Sequence, residues 1–151
     1  MLINQAIHTL DLMLWFAGDI KILNGSVHKH RTTNEIEVED TVEAYMIFEN
    51  GAKGVFYATN NYSYDSGAEL EVHCEKGILN IKNNKLRLFL EDDEILLEEE
   101  SFTKNEFNKK CYGNSHEILI KNFYESILNK TDNYINIKEG IKALKIIKKI
   151  K

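Results

Sequence analysis

Two polar side chains interrupt an otherwise apolar opening segment: His8 and Asp11, set in Asn4-Gln5-Ala6-Ile7-His8-Thr9-Leu10-Asp11-Leu12-Met13-Leu14-Trp15-Phe16-Ala17-Gly18. An imidazole titrating near neutrality can take or return a proton at a reacting hydroxyl, and a carboxylate one helical turn away can orient the ring. Two plainer readings stand beside that one. Asp11 can bond a loop amide instead, and His8 can be a core histidine with its ring nitrogens satisfied. The pattern around the pair names the element that must carry it. Ile7, Leu10, Leu14 and Ala17 recur at helical steps, with Met13 and Trp15 widening the stripe, which predicts a buried or nearly buried helix. Asn4 is the candidate acceptor for its first free amides, and Gly18 the candidate left-handed stop.

Downstream of this helix the periodicity changes to that of strands. Asp19 to His30 predicts extended chain with a break near Asn24-Gly25, and Arg31 to Asn34 predicts a loop. Thr41 to Phe48 alternates cleanly, Asn50-Gly51 is a strong hairpin signal, and Gly54 to Thr59 is the returning strand. Further strands are expected at Glu69 to Cys74, Ile78 to Ile81, Lys85 to Leu90 and Glu94 to Leu97. The linkers Glu75-Lys76-Gly77, Lys82-Asn83-Asn84 and Glu91-Asp92-Asp93 are too short for anything but antiparallel connections. Ser115 to Leu128 places Leu119, Phe123 and Ile127 on one helical face, with Asn114 or Ser115 as cap, and Ile137, Ile141, Leu144, Ile147 and Ile150 repeat the rule. The fold class is therefore α+β: a mixed, largely antiparallel open sheet of about six strands with helices on one face. Tyr45 and Ile47, joined by residues such as Phe56 or Tyr57 from the partner strand, leave the second sheet face too apolar for water, so that face is expected to meet another protein surface, with a partly closed sheet that covers itself as the alternative.

Composition bounds the function. The 151 residues make one domain-sized chain, and a net charge of -5 speaks against a nucleic-acid partner. No apolar run reaches membrane-spanning length and Met1-Leu2-Ile3-Asn4 lacks a basic leader, so no membrane partner is expected. Cys74 and Cys111 lie far apart, as reduced thiols in a cytoplasmic protein would. His8, Asp11, His28, His30 and His116 show no spacing typical of a ligand set, and no metal is expected. The lysines of the last helix, the acidic runs Glu91 to Glu94 and Glu98 to Glu100, and His73 read as solvated faces.

The opening segment resembles the start of the C-terminal domain of the glucose-fructose oxidoreductase and inositol dehydrogenase (Gfo/Idh/MocA) family, with Leu2, Asn4, His8 and Asp11 at the motif positions. Glu37-Val38-Glu39-Asp40-Thr41, Glu49-Asn50-Gly51-Ala52-Lys53-Gly54 and Tyr112-Gly113-Asn114-Ser115-His116 fit in the same order. The resemblance implies one substrate-binding and oligomerisation domain over residues 1–151, without the family's N-terminal Rossmann domain. It implies a sugar, nucleotide-sugar or inositol hydroxyl as substrate, NAD or NADP held mainly by the missing half, and a homo-oligomer formed through the open sheet face. The Asn-Gln variant of the opening motif resembles members acting on nucleotide-linked sugars. His8 would be the catalytic histidine, with Asn4, Asp11 and His116 contacting substrate, although His116 can also cap or pack at its helix start. Asn4 replaces an aspartate found in many members; it can hold a hydroxyl but cannot accept its proton, which leaves that task to His8 or to a lysine elsewhere. There is no Gly-x-Gly-x-x-Gly, and Glu75-Lys76-Gly77 only imitates the family's Glu-Lys-Pro segment. The isolated chain is therefore expected to be inactive, and a non-catalytic sugar-binding or dimerisation module is the alternative.

Overall fold

Asn83 and Asn84 adopt left-handed backbone angles, φ 51° and 60°, and so form the tight reversal between two antiparallel strands that the sequence places there. They belong to a computed structural model that describes residues 1–30, 37–64, 66–99 and 115–150. The loop expected at Arg31 to Asn34, the cap candidate Asn114, the Tyr112-Gly113 pair, Cys111 and Glu100 lie outside the described residues. The chain divides into two compact units, residues 1–66 with 137–151, and residues 67–136.

In the first unit a π-helical turn, Leu2–Ala6, runs directly into α1, Ile7–Ala17. Gly18 ends α1, its amide donating to the Leu14 carbonyl at 2.8 Å, but with φ 83° and ψ −159° it takes an extended conformation open to glycine rather than the left-handed helical one expected. Asn4 is not the cap: the helical segment begins at Leu2, so Asn4 falls inside its first turns and no side chain caps α1. Three strands follow, β1 Ile20–His28, β2 Thr41–Phe48 and β3 Lys53–Thr59, in the order β1-β2-β3 with both pairings antiparallel. β1 does not break at Asn24-Gly25. Its irregularity lies between Ile20 and Ile22, and Gly25 pairs squarely with Ala44. The Asn50-Gly51 turn forms as expected, with Gly51 at φ 86° and its amide donating to the Phe48 carbonyl at 3.0 Å.

Alternation decides which face is sealed. Val42, Ala44, Met46 and Phe48 of β2 are all buried, together with Phe56 of β3. A β-carbon placed on Gly54 would meet the Phe48 ring at 3.0 Å and the Met13 methyl at 3.2 Å, which shows α1 seated on this face. Helix α3, Ile137–Ile150, packs on α1 and on β1. Its buried side is Ala143, Ile146, Ile147 and Ile150, whereas Ile137, Ile141 and Leu144 are exposed, so the expected stripe is rotated. Trp15 also departs from expectation: it is 76% exposed, because the buried arc of α1 is filled by Leu10, Met13 and Leu14.

The second unit carries β4 Glu69–Cys74, β5 Gly77–Lys82, β6 Lys85–Phe89 and β7 Glu94–Glu99 as an antiparallel meander, followed by α2, Ser115–Asn129. The described strands thus form two antiparallel sheets, of three and four strands, within the expected α+β class. Leu70, Val72, Leu79, Ile81, Leu86 and Leu88 share one face of the second sheet. Its other face is polar apart from the paired Ile78 and Phe89 at one end. Asn80, buried there, donates to Glu69 at 2.8 Å and to Glu71 at 3.3 Å, while Lys82 reaches Glu69 at 2.7 Å. The Lys82 ammonium, and then the Asn80 amide, hold the Glu69 carboxyl below the usual carboxylate range. Leu119, Phe123 and Ile127 of α2 are exposed, and its buried residue is Ser126, whose hydroxyl bonds the Asn122 carbonyl at 2.7 Å. Among the described residues no helix is long and apolar enough to cross a membrane.

Candidate functional site

Sealing one side of α1 against the sheet leaves the other side for chemistry. Leu2, Ala6, Leu10, Met13 and Leu14 are buried, while Asn4, His8, Asp11 and Trp15 are exposed. The latter four follow one another at steps of four, three and four residues and so form a single row on the outer face of the helix. His8 is not sealed among aliphatic neighbours, and Asn4 and Asp11 flank it on either side. Among the described residues no hydrogen bond joins Asp11 to His8, so the row is a set of three solvated polar groups rather than a locked dyad.

The start of this row is fixed from the strand side. The Leu2 amide, one of the free donors at a helix start, donates to Glu39 Oε1 at 3.3 Å, a placement that also sets negative charge at the positive helix end. Asp40, 2% exposed, accepts from the His30 amide at 2.9 Å and from the Thr41 hydroxyl at 2.9 Å. The acidic stretch before β2 therefore positions the helix and the strand entry. Sequence reasoning quoted these residues only as a motif; the signal available was a carboxylate pair immediately before a strand, which says little about what it bonds.

His116 lies in the first turn of α2, exposed, in the second unit. Glu75 and Lys76 form the turn between β4 and β5, where the sequence placed them. A polar cluster that sequence reasoning missed sits on the outward face of the three-stranded sheet. Ser26 donates to Glu43 Oε1 at 2.9 Å, and His28 Nε2 lies 3.0 Å from Ser26 Oγ and 3.3 Å from Glu43 Oε1. The Ser26 bond, and next the His28 bond, hold the Glu43 carboxyl below its ordinary range. The ring of His30 stacks on that of His28 with centroids 5.5 Å apart. Ser26 and Glu43 are register partners, which only the strand pairing reveals. The serine and the carboxylate approach the same imidazole nitrogen, so these three do not form a nucleophile–base–acid relay. Among the described residues no group of three or more His, Cys, Asp or Glu side chains could hold a metal ion.

With this geometry in place, comparison with known proteins decides the lineage. The family model described as the GFO/IDH/MocA C-terminal domain matches residues 1–80, which include α1, the motif before β2 and the first hairpin. The chain belongs to this family. No curated protein matches its sequence significantly. Solved structures share its fold: an oxidoreductase from Agrobacterium radiobacter in complex with NAD+, L-tartaric acid and magnesium aligns at TM-score 0.76 with 14% identity, over 98% of this chain and 45% of that one. The aldose-aldose oxidoreductase from Caulobacter crescentus complexed with glycerol aligns at 0.73 with 21% identity, over 99% and 43%. The WlbA dehydrogenase from Bordetella pertussis in complex with NADH and UDP-GlcNAcA aligns at 0.71 with 20% identity, over 99% and 40%. The 151 residues thus span less than half the length of these Gfo/Idh/MocA-type neighbours.

Proposed function

We propose that this chain is the substrate-binding and oligomerisation domain of an NAD(P)-dependent oxidoreductase acting on a sugar, nucleotide-sugar or inositol hydroxyl. The observation that carries the proposal is the row Asn4, His8, Asp11 on the open side of a helix whose other side is sealed. In this reading His8 accepts the hydroxyl proton as the carbon is oxidised, and Asn4 and Asp11 hold neighbouring hydroxyls by donating and accepting hydrogen bonds. The WlbA dehydrogenase complex with UDP-GlcNAcA and the aldose-aldose oxidoreductase complex with glycerol support a polyhydroxy compound as substrate class.

The residues of this chain do not fit the nicotinamide dinucleotide itself. Its eight glycines include no Gly-x-Gly-x-x-Gly, and the described strand pairings are all antiparallel, so among the described residues no strand–turn–helix cradle for a pyrophosphate is formed. NAD or NADP is accordingly assigned to a separate nucleotide-binding domain, and the 151 residues alone are read as inactive. Calorimetric titration with either cofactor should give no tight binding; micromolar binding by this chain would overturn that division. In the enzyme that carries this domain, His8→Ala should lower turnover by about a hundredfold or more, the usual scale for an acid–base group. Unchanged turnover would remove His8 from the chemistry.

A second role rests on a different observation. The outward face of the three-stranded sheet exposes Ile22, Tyr45, Val55 and Tyr57, with Tyr45 and Val55 directly paired across β2 and β3. Apolar residues clustered on an open sheet face favour association with a second copy. A domain that only dimerised, or only bound sugar, would keep this face and survive the loss of His8 chemistry.

A further inference from the structure

The exposed row on α1 is longer than one sugar. His8 and Trp15 are seven residues apart, close to two full turns, so they stand nearly in line and about 10 Å apart along the helix axis. A single pyranose whose hydroxyl meets His8 reaches Asp11 but leaves the indole uncovered. The indole is nonetheless set for contact: it is 76% exposed, and the Phe16 ring meets it at 4.9 Å and 81°, an edge contact that steadies it and leaves it open to a ligand. A second pyranose, with its face of C–H groups, suits such a platform, and so does a nucleobase. Charge decides between them. The chain has no Lys or Arg before Lys21, so α1 carries none, and the ionised group between His8 and Trp15 is Asp11. A nucleotide sugar with its sugar at His8 would set its diphosphate beside this carboxylate, and no guanidinium or ammonium of the row could hold it. The other usual seat for a phosphate, the free amides at a helix start, is taken. The Leu2 amide donates to Glu39 Oε1 at 3.3 Å, and the Asn4 and Gln5 amides donate to the Met1 carbonyl at 3.2 and 3.1 Å. On α3, which packs against α1, Lys142 is engaged with Glu139 at 3.0 Å and Asp19 at 3.9 Å.

We infer that Trp15 is the platform for a second, uncharged ring of the substrate, and that the row takes a neutral disaccharide, oxidised in the ring that meets His8, in preference to a nucleotide sugar. The inference rests on the reading of His8 and Asp11 as substrate contacts given above, and it narrows the substrate class of that same site.

Trp15 is the one tryptophan of the 151 residues, so indole fluorescence reports on this position alone. The chain is titrated with cellobiose, maltose, D-glucose and UDP-glucose at constant ionic strength, following Trp15 emission and, in parallel, the heat of binding. The better of the two disaccharides should shift the emission saturably and bind about three- to tenfold more tightly than glucose, the worth of one stacked ring. UDP-glucose should bind no more tightly than glucose. In calorimetry Trp15→Ala should erase the preference for the disaccharide, Trp15→Phe should keep most of it, and Asp11→Asn should raise the affinity for UDP-glucose relative to the disaccharide. Equal affinity for glucose and both disaccharides, with Trp15 emission unmoved, overturns the inference and leaves the substrate reading of His8 and Asp11 standing. UDP-glucose binding more tightly than either disaccharide overturns it as well, in favour of a nucleobase on the indole. Binding of none of the four sugars removes both readings and assigns the row to a protein contact.

Discussion

The same substitution, glycine to alanine, should change stability in opposite directions at Gly25 and Gly140. At Gly25 an added β-carbon would lie 2.8 Å from the Glu43 carbonyl oxygen and 2.9 Å from the Ala44 β-carbon. The first of these contacts is backbone, so it cannot be relieved by a rotamer change, and β1 must move away from β2. Overpacking of this kind typically costs about 1–3 kcal/mol, against a gain of about 0.4–1 kcal/mol from stiffening the unfolded chain. The net expectation is a loss of about 1–2 kcal/mol. At Gly140, within α3, the added carbon meets nothing within 4 Å. Only the propensity gain remains there, about 0.5–1 kcal/mol in favour of the variant. Urea denaturation of both variants, followed by far-ultraviolet circular dichroism and read at matched slope, measures the two signs directly. Loss of the Gly25→Ala effect to within about 0.3 kcal/mol, or equal signs at both sites, would refute the close-approach account of β1.

Other expectations follow from burial and charge. Leu10→Ala should destabilise by about 2–5 kcal/mol in the same denaturation assay, since Leu10 is fully buried under α1. Asn4→Ala and His8→Ala should each stay within about 0.5 kcal/mol of wild type because both side chains are exposed, which makes an activity loss at His8 interpretable as chemistry. Glu69 has a folded-state pKa depressed by Lys82 and Asn80, so its contribution is present above the usual glutamate range and is lost as pH falls through the folded value. Glu69→Gln should accordingly be less stable than wild type at pH 7, with the difference shrinking in acid titration. Asn83→Val should impair the β5–β6 reversal, measured as lower thermal stability, because a β-branched residue is strained at φ 51°.

Period-two alternation and short polar turns made the strands legible: β2 and β4 begin and end where the sequence places them, β5 is one residue longer at each end, and β6 and β7 differ by one and two residues at their C-terminal ends. Gly25 was misleading because a glycine within a strand signals either a break or a close approach, and only the partner strand says which. The Trp15 error has a similar cause. A helix with apolar residues around most of its circumference does not announce which arc is sealed, and the choice was made by Met13 meeting Phe48 and Gly54. For the candidate site, the residue types at 4, 8 and 11 were readable, but their common exposure was not, since burial depends on what covers each face. The Ser26–His28–Glu43 cluster was invisible for a third reason: it is assembled across a strand pair with a sequence separation of 17 residues.

The helix that carries the candidate site divides its duties by face, and this has a consequence for how changes should act. Leu2, Ala6, Leu10, Met13 and Leu14 are buried on the inner side of this segment, so the fold constrains them; Asn4, His8, Asp11 and Trp15 are exposed, the Trp15 indole lying edge-on to the Phe16 ring at 4.9 Å. Keeping an indole in water forgoes the burial free energy that the same residue would gain inside, roughly 2–3 kcal/mol for a large apolar side chain. A helix selected only for stability would turn Trp15 inward or replace it, as it has done with Met13 one turn-face away. The exposed row is therefore better understood as a surface awaiting contact than as a solvated helix side, and polar groups at its near end with an aromatic group at its far end suit a ligand or domain that is itself partly polar. Replacing Trp15 with Gln tests this without disturbing the core: denaturation midpoints should hold, while whatever binds the row should bind more weakly. A drop in the midpoint comparable to that of Leu10→Ala would place Trp15 back in the core and remove the division of faces on which the site is built.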